Sequence, residues 1–196
     1  METWKIGVNT LEYDDDTHTY IADGVIVPSV TQILAASFGN KYENVNKEVL
    51  NRAAARGTAI HKAIEEYCTI GRDDGSKEVH NFNFLMNHYA LKPIQNEVPI
   101  IVYRFCKPIA AGRLDLVLTD DNERYSIADI KTTATLDKEY LTYQLNFYRL
   151  GYLQSYGRSV SKLYGVHLRE DKRKIIELPI VDVIPWDALD NYERSL

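Results

Sequence analysis

Apolar and polar residues follow two kinds of pattern along the first half of the chain. Residues 11–28 alternate between apolar and polar side chains and are broken by the Asp-Gly pair at 23–24, which predicts an N-terminal β-hairpin. Helical spacing follows in three segments, residues 28–38, 47–69 and 78–91. The Pro-Ser pair at 28–29 is typical of a helix start, whereas Gly57 is a point where the second helix could be interrupted.

The second half of the chain begins with apolar runs, which predict strands. Three strands are expected at residues 97–105, 110–119 and 125–132, and a hairpin at 162–170 and 174–181. Helical spacing is found at 136–157 and again at 184–196. Because the chain shows no linker and no internal repeat, this order predicts a single α/β domain over residues 1–196, with a central sheet flanked by helices.

Composition narrows the class of protein. The 196 residues are 45% hydrophobic and 26% charged, which is typical of a folded domain, and the formal charge of −5 excludes a generally basic coat that binds nucleic acid by charge alone. Two cysteines, Cys68 and Cys106, are too few for a cysteine-ligated zinc or iron–sulfur site, and we expect both to be buried and reduced. Neither a signal peptide nor an apolar run of membrane-spanning length is found, so we expect a soluble, cytoplasmic protein without a membrane partner.

The segment with the strongest chemical signal is the predicted hairpin at residues 110–133. If the hairpin is centred on Asn122, Asp115 lies directly opposite Asp129, with their Cβ atoms roughly 4.5–5.5 Å apart. Lys131 then lies on the same face, and the opposite face carries apolar residues that can meet a core, namely Leu114, Leu116, Leu118 and Ile130. The same register brings Arg113 opposite Lys131, so the strands must splay there or one cation must reach an anion.

Two opposed carboxylates repel each other, and a bound cation would relieve that repulsion. Oxygen ligands suit Mg²⁺ or Mn²⁺, and a neighbouring lysine can orient or deprotonate a water molecule or stabilise charge on a phosphate. The alternative is an ordinary hairpin whose charged residues face solvent.

Two predicted helices carry further candidate residues. His61 and Glu65 lie one turn apart on one face, where the imidazole could ligate a metal and the carboxylate could act as a base. Gln144 and Tyr148 have the same spacing and could contact a phosphate or a base. Taken alone, each pair favours an ordinary interpretation: a surface or otherwise satisfied histidine in the first helix, and a tyrosine-rich packing helix in the second. Candidate phosphate-binding cations are Arg52, Arg56, Lys62, Arg113 and Arg149. The acidic segment at 14–18 lacks the features of a calcium loop and is interpreted as a polar turn.

Four ordered blocks resemble those of a known family. They are G-x-x-x-H-x-x-I-E from Gly57 to Glu65, G-x-x-D from Gly112 to Asp115, D-x-K from Asp129 to Lys131, and Q-x-x-x-Y from Gln144 to Tyr148. Together they resemble the PD-(D/E)XK nuclease superfamily, specifically its RecB-type exonuclease branch with its phage-encoded and CRISPR-associated members. The resemblance covers about residues 28–170, and the segment PSVTQIL is also similar to phage members.

The resemblance implies a fold and a set of roles. The fold is a restriction-endonuclease-like core with a central mixed sheet. The metal, Mg²⁺ or Mn²⁺, is bound by His61, Asp115, Asp129 and the backbone carbonyl of Ile130. Catalytic residues are Asp115, Asp129 and Lys131, with Glu65 as a less secure member, and Glu97 loosely matches an upstream glutamate. DNA-binding residues are Gln144, Tyr148, Arg113 and Arg56. The cysteine cluster of iron–sulfur members is absent, so no such cluster is expected.

From these residues and this resemblance we predict a metal-dependent deoxyribonuclease. The resemblance alone implies that the enzyme is an exonuclease of phage or bacterial DNA recombination, repair or processing. The expected partners are DNA and a recombination or replication protein, and a homo-oligomer is compatible with the pattern. Two alternatives stay open: a catalytically silent DNA-binding or assembly module of the same fold, and a metal-dependent enzyme that acts on RNA or a small phosphodiester.

Overall fold

The computed structural model describes residues 1–39 and 46–196, which form two sheets and five helices. The first sheet is antiparallel, in the order β1-β2-β3-β4: Glu2–Ile6, Asn9–Asp14, Thr19–Ala22 and Val25–Val27. The second sheet has the order β5-β6-β7-β8-β9: Lys92–Arg104, Lys107–Thr119, Tyr125–Lys131, Lys162–Arg169 and Lys172–Leu178. The helices are α1 (Val30–Phe38), α2 (Lys47–Ile70), α3 (Lys77–His88), α4 (Lys138–Tyr156) and α5 (Ile184–Ser195).

The predicted α/β class, with a mixed central sheet between helices, is confirmed. Strands β7 and β8 are parallel and joined by α4, whereas their neighbours pair antiparallel. One apolar core lies between the sheet and helices α1, α4 and α5, and a second lies on the side of α2 and α3. Both faces of the sheet are therefore covered, which explains why its strands are nearly continuous apolar runs.

The N-terminal region is larger than the predicted hairpin. The hairpin of β2 and β3 is extended by an edge strand on each side, and the Asp-Gly pair at 23–24 turns the chain from β3 into β4. The acidic segment at 14–18 is the β2–β3 turn, as predicted. This sheet packs its apolar residues on Ile101 and Ala111 of the central sheet.

Local signals account for the helix ends. Ser29 caps α1, and a capping box with Gln32 satisfies two backbone donors. Asp137 caps α4 at its start, and Gly157, with a φ of 66°, ends it in the left-handed conformation. Gly57 does not interrupt α2, which is continuous from Lys47 to Ile70.

Two expectations about the middle of the chain were wrong. Residues 107–109 do not separate two strands, because β6 begins at Lys107 and the chain turns at Phe105 and Cys106, both with positive φ. This position at the tip of a turn leaves the Cys106 thiol exposed rather than buried, and Cys68 is only half-buried. No helix within the described ranges combines the length and the apolar character needed to cross a membrane.

The predicted register of the β6–β7 hairpin is confirmed. Leu116 pairs with Ala128 and Thr119 pairs with Tyr125, the register that sets Asp115 opposite Asp129. The regular pairing ends at Leu116, so the strands separate where Arg113 and Lys131 would have faced each other. The predicted conflict between these two cations is thereby avoided.

Candidate active site

Three neighbouring strands place one carboxylate each in a row across the sheet. Asn96 and Val98 of β5 pair with Leu116 and Leu114 of β6, which puts Glu97 opposite Asp115. The β6–β7 register continues the row to Asp129. Because paired residues project to the same face, the row is a concentration of negative charge on one side of the sheet.

Asp115 is at the centre of this row and is held by the backbone of β7. The Ile130 amide donates a hydrogen bond of 2.6 Å to Asp115 Oδ2. This bond stands in for a ladder hydrogen bond at the point where β6 and β7 separate. The carboxylate therefore keeps its position despite the neighbouring negative charges.

His61 of α2 lies against the same site. Its Nε2 atom is 3.1 Å from the Ile130 carbonyl oxygen, and its Nδ1 atom is 3.6 Å from Asp115 Oδ2. Since a carbonyl oxygen only accepts, the Nε2–H group donates to Ile130, and in the neutral ring Nδ1 then presents a lone pair to a carboxylate. That contact is favourable only if a proton or a cation lies between the two atoms.

Glu97 has an unusual backbone and an unusual environment. Its φ of 49° is in the left-handed region, which costs a residue with a Cβ of the order of 1 kcal/mol. Burial, and next the charge of Asp115, raise the pKa of its carboxyl to about 7 even though Arg113 Nε lies 2.8 Å away. Strain combined with a buried, repelled carboxylate is typical of a functional position.

Asp129, the third carboxylate of the row, forms an ion pair with Lys131. Lys131 Nζ lies 2.6 Å from Asp129 Oδ2, but at an angle that leaves this buried oxygen without a hydrogen bond among the described residues. Burial raises the pKa of Asp129, and Lys131 opposes that effect. Burial alone would lower the pKa of Lys131, but the charges of Asp129 and Asp115 raise it, so the amine stays charged.

Helix α4 fixes the position of the lysine. Lys131 Nζ donates to Gln144 Oε1 at 3.0 Å, and Gln144 Nε2 donates to the Tyr148 hydroxyl at 3.2 Å. Both residues of the Q-x-x-x-Y block are buried, so in this structure they position Lys131. Their predicted contact with DNA stays a prediction.

Two glycines of the sequence blocks have a steric explanation. A Cβ atom at Gly112 would lie 3.0 Å from Tyr148 Cε1, so the glycine lets the tyrosine ring cross β6. A Cβ atom at Gly57 would lie 3.3 Å from Thr132 Oγ1, so this glycine lets α2 approach the end of β7. Both glycines thus allow the helices to bring their side chains to the site.

The donor set that the structure brings together fits a divalent cation. One ligand atom from each of His61, Glu97 and Asp115 lies within 4.8 Å of the other two. The Nδ1 lone pair and the two carboxylates converge, and no cationic side chain of the described residues lies between Nδ1 and Asp115. A mixed set of nitrogen and oxygen ligands suits Mn²⁺ or another first-row ion, and the carboxylates also suit Mg²⁺. The Nε2–H bond to a backbone carbonyl is the usual way to orient a ligating histidine.

This ligand set differs in part from the predicted one. Glu97, which the resemblance matched only loosely, replaces Asp129, whose carboxylate is paired with Lys131 because that buried ammonium requires a counter-charge. The Ile130 carbonyl, a predicted ligand, faces the His61 ring. Glu65 is exposed on α2, and its charge contributes to raising the pKa of Glu97.

The predicted phosphate-binding cations are scattered. Arg113 contacts Glu97 and Glu2 near the site. Arg56 forms a 2.7 Å ion pair with Glu78 and lines a separate cavity towards α3. The remaining candidates lie elsewhere: Arg149 pairs with Asp182, Arg52 donates to the Glu48 carbonyl, and Lys62 is exposed on α2.

The sequence analysis missed two basic residues, His167 and Lys174, that lie in the same row of the sheet as Lys131. The parallel β7–β8 register pairs Lys131 with His167, and the β8–β9 register pairs His167 with the exposed Lys174. These three side chains therefore project from one face, in the same row of the sheet. The basic run at 172–174 was the available signal, but its relation to Lys131 depends on the strand order.

An open cleft of about 640 Å³ gives access to the site. Its walls include His61, Glu97 and Asp115, with Arg113 and Tyr148 beside them. The N-terminal sheet contributes three aromatic side chains to the same cleft, namely Tyr13, His18 and Tyr20. The site is thus reachable from solvent, as a catalytic or binding site must be.

Comparisons with known proteins support the fold and go no further. No protein-family model matches the chain, and no curated protein matches it. Among solved structures, the crystal structure of a protein named SSO0001 is similar, with a TM-score of 0.53 and 18% sequence identity over 87% of this chain and 76% of that one. At this level of identity the likeness shows a shared fold only.

Proposed function

We propose that the protein is a metal-dependent deoxyribonuclease, a phosphodiester hydrolase that uses Mg²⁺ or Mn²⁺. The observation that carries the proposal is the convergence of His61 Nδ1 with the Glu97 and Asp115 carboxylates at an open cleft. A charged lysine held beside this cluster adds the cation that a phosphodiester substrate requires. The sequence blocks, which resemble the RecB-type nucleases, make DNA the preferred substrate.

The proposed roles follow from the chemistry of hydrolysis. A water molecule attacks phosphorus, negative charge grows on the phosphate oxygens, and the bond to the leaving sugar oxygen breaks. A bound cation would supply Lewis-acid polarisation and charge neutralisation, and His61, Glu97 and Asp115 would hold it. Lys131 acts as a hydrogen-bond donor that positions water or stabilises phosphate charge, because its raised pKa makes it a poor base.

The finer parts of the proposal come from the resemblance. These finer parts are exonuclease action, a role in phage or bacterial DNA recombination or repair, a cytoplasmic location and a protein partner.

One observation favours the silent module as a second candidate. Lys131 forms an ion pair with the buried Asp129 and a hydrogen bond to Gln144. Two of the predicted catalytic residues are therefore paired with each other. A binding module could retain such a pair for structural reasons alone. Cleavage assays separate the two candidates.

The proposal is tested by digestion of end-labelled single-stranded DNA, double-stranded DNA and a matched RNA strand with Mg²⁺, Mn²⁺ or EDTA. We expect cleavage of DNA that requires metal and falls about 100-fold or more in Asp115→Asn and in Lys131→Gln. The control is Asp121→Asn, an exposed aspartate in the β6–β7 turn. Binding without cleavage would favour the silent module, and faster cleavage of RNA would favour the third alternative.

A further inference from the structure

Aromatic rings form a ladder on the N-terminal sheet, in the wall of the cleft that contains the metal-ligand cluster. Tyr13 and Tyr20 are a cross-strand pair on β2 and β3, with ring centroids 4.6 Å apart. His18, from the β2–β3 turn, lies edge to edge with Tyr13, with a centroid distance of 6.4 Å and an interplanar angle of 29°. All three residues line the cleft together with His61 and Asp115.

The ladder is ordered from a buried end to an exposed end. Tyr20 is buried, Tyr13 is half-buried and His18 is exposed. The Tyr13 hydroxyl and His18 Nδ1 are 2.8 Å apart and share a hydrogen bond, which fixes the His18 ring. The outer ring is therefore held as an edge-to-edge extension of the Tyr13 ring, exposed in the wall of the cleft.

The charges around the ladder disfavour a phosphate. Asp14, Asp15 and Asp16 belong to the same turn as His18. Burial, and next the charge of Asp15, raise the pKa of Tyr13, so a carboxylate lies close to the ladder. Arg113, the nearby cation, is already paired with Glu97 and Glu2. A ligand at this position must be flat and neutral, with donor groups that a carboxylate can accept.

We propose that the ladder of Tyr13, His18 and Tyr20 binds an unpaired nucleobase of the substrate strand. Bases stack on aromatic side chains irrespective of sequence, and their amino groups suit the acidic turn. The phosphate of that nucleotide then lies on the side of His61 and Asp115, which line the same cleft. This part rests on the proposed nuclease function.

The consequence is a preference for a strand that is unpaired at the site. A paired base has its faces covered by its neighbours in the duplex, so neither face is free to stack on the ladder. We therefore infer that single-stranded DNA or a frayed end is the form that enters the cleft. Duplex DNA would have to release at least one terminal nucleotide first.

The test is the fluorescence of oligonucleotides that carry 2-aminopurine at one position, scanned over both ends, with Ca²⁺ to support binding or with EDTA. Binding is expected to quench the probe at one position, and His18→Ala or Tyr13→Leu is expected to weaken binding about tenfold and to abolish the quenching. Tyr89→Leu, at the exposed end of α3, is the control and should change neither. His18→Ala removes an exposed side chain, so it tests the inference even if Tyr13→Leu does not fold.

An abasic nucleotide at the quenched position supplies the matching change in the ligand. It should weaken binding to the wild-type protein as much as His18→Ala does, and should weaken binding to that variant no further. Unchanged affinity and quenching in the ladder variants would overturn the inference, even if the protein cleaves DNA. Ladder-dependent quenching without cleavage in any metal would instead overturn the nuclease function and leave the base site in place.

Discussion

At the scale of single residues, Glu97 combines three features that each cost stability. Its backbone is left-handed, its carboxyl is largely buried, and Asp115 lies opposite it. Arg113 offsets only part of this cost, because the pKa of Glu97 is still raised to about 7. A site that binds a cation explains why such a residue is retained.

The raised pKa of Glu97 predicts a pH-dependent stability in the metal-free protein. The folded carboxyl keeps its proton up to about pH 7, whereas the unfolded one loses it near its ordinary pKa of 4.5. The free energy of unfolding should therefore fall as pH rises from about 4.5 to 7, by up to about 3 kcal/mol from this group. Urea denaturation with EDTA at pH 5 and pH 8 measures the loss.

Glu97→Gln should reduce this loss of stability between pH 5 and 8. It should not remove it, because the pKa of Asp129 is also raised and contributes to the same change. Glu123→Gln, an exposed change in the β6–β7 turn, is the control. An equal pH dependence in wild type and Glu97→Gln would show that Glu97 is not the strained carboxylate described above.

At the scale of elements, the site depends on how closely the helices approach the sheet. Tyr148 crosses β6 at Gly112, and through Gln144 it fixes Lys131. The lysine is thus positioned by a packing contact between α4 and β6, through the hydrogen bonds that join Tyr148, Gln144 and Lys131. Changes in this contact should affect catalysis through Lys131.

Gly112→Ala should therefore lower both stability and activity. The added methyl would lie 3.0 Å from the Tyr148 ring and 3.4 Å from Val30, so the ring must move, at a cost of about 1–3 kcal/mol. Removing the ring in Gly112→Ala/Tyr148→Leu should recover part of the stability, and that non-additivity identifies the contact. Denaturation and metal-dependent cleavage, measured on the single and double variants, check both effects.

Gly57→Ala is the matched comparison. Among the described residues, the added methyl would lie within 4 Å of the Thr132 hydroxyl alone, at 3.3 Å. Alanine is also favoured over glycine inside a helix by about 1 kcal/mol. We expect this variant to be as stable as the wild type or more so. A loss of stability as large as that of Gly112→Ala would contradict the steric account.

Elements and register were predictable from the sequence to the extent that local pattern governs them. The cap at Ser29, the span of α2 and the register that opposes Asp115 to Asp129 follow from spacing and turn residues. The left-handed φ of Glu97 does not, because it falls inside β5, where no glycine or turn residue marks it in the sequence. Of the candidate site, His61, Asp115 and Lys131 come together as expected, whereas the pairing of Lys131 with Asp129 depends on burial that spacing does not reveal.

At the scale of the whole molecule, a net charge of −5 must be reconciled with the anionic substrate that the proposed function requires. Lys131 and Lys174, with His167 between them in one row of the sheet, place positive charge on one face, beside the carboxylates of Asp129 and Asp115. His167 Nε2 also lies 2.7 Å from the Thr133 carbonyl, which secures the chain beyond Lys131 to β8. In the proposed nuclease, attraction for a phosphate backbone would therefore be local, because the chain as a whole carries net negative charge.

Lys174→Gln should weaken DNA binding and reduce its salt dependence. Loss of one phosphate contact lowers the slope of log K against log salt by about 1. Binding titrations between low and moderate salt measure the slope, and Lys107→Gln, an exposed change at the start of β6, should leave it unchanged. Equal slopes in wild type and Lys174→Gln would place the substrate elsewhere.

The most direct test of the account is where a cation binds. Crystals grown with Mn²⁺ should give an anomalous peak roughly 2.0–2.5 Å from ligand atoms of His61, Glu97 and Asp115, and Asp115→Asn should weaken or remove it. The same peak should persist in Asp121→Asn. An absent peak at a Mn²⁺ concentration that supports cleavage, or a peak at other residues, would contradict the central claim.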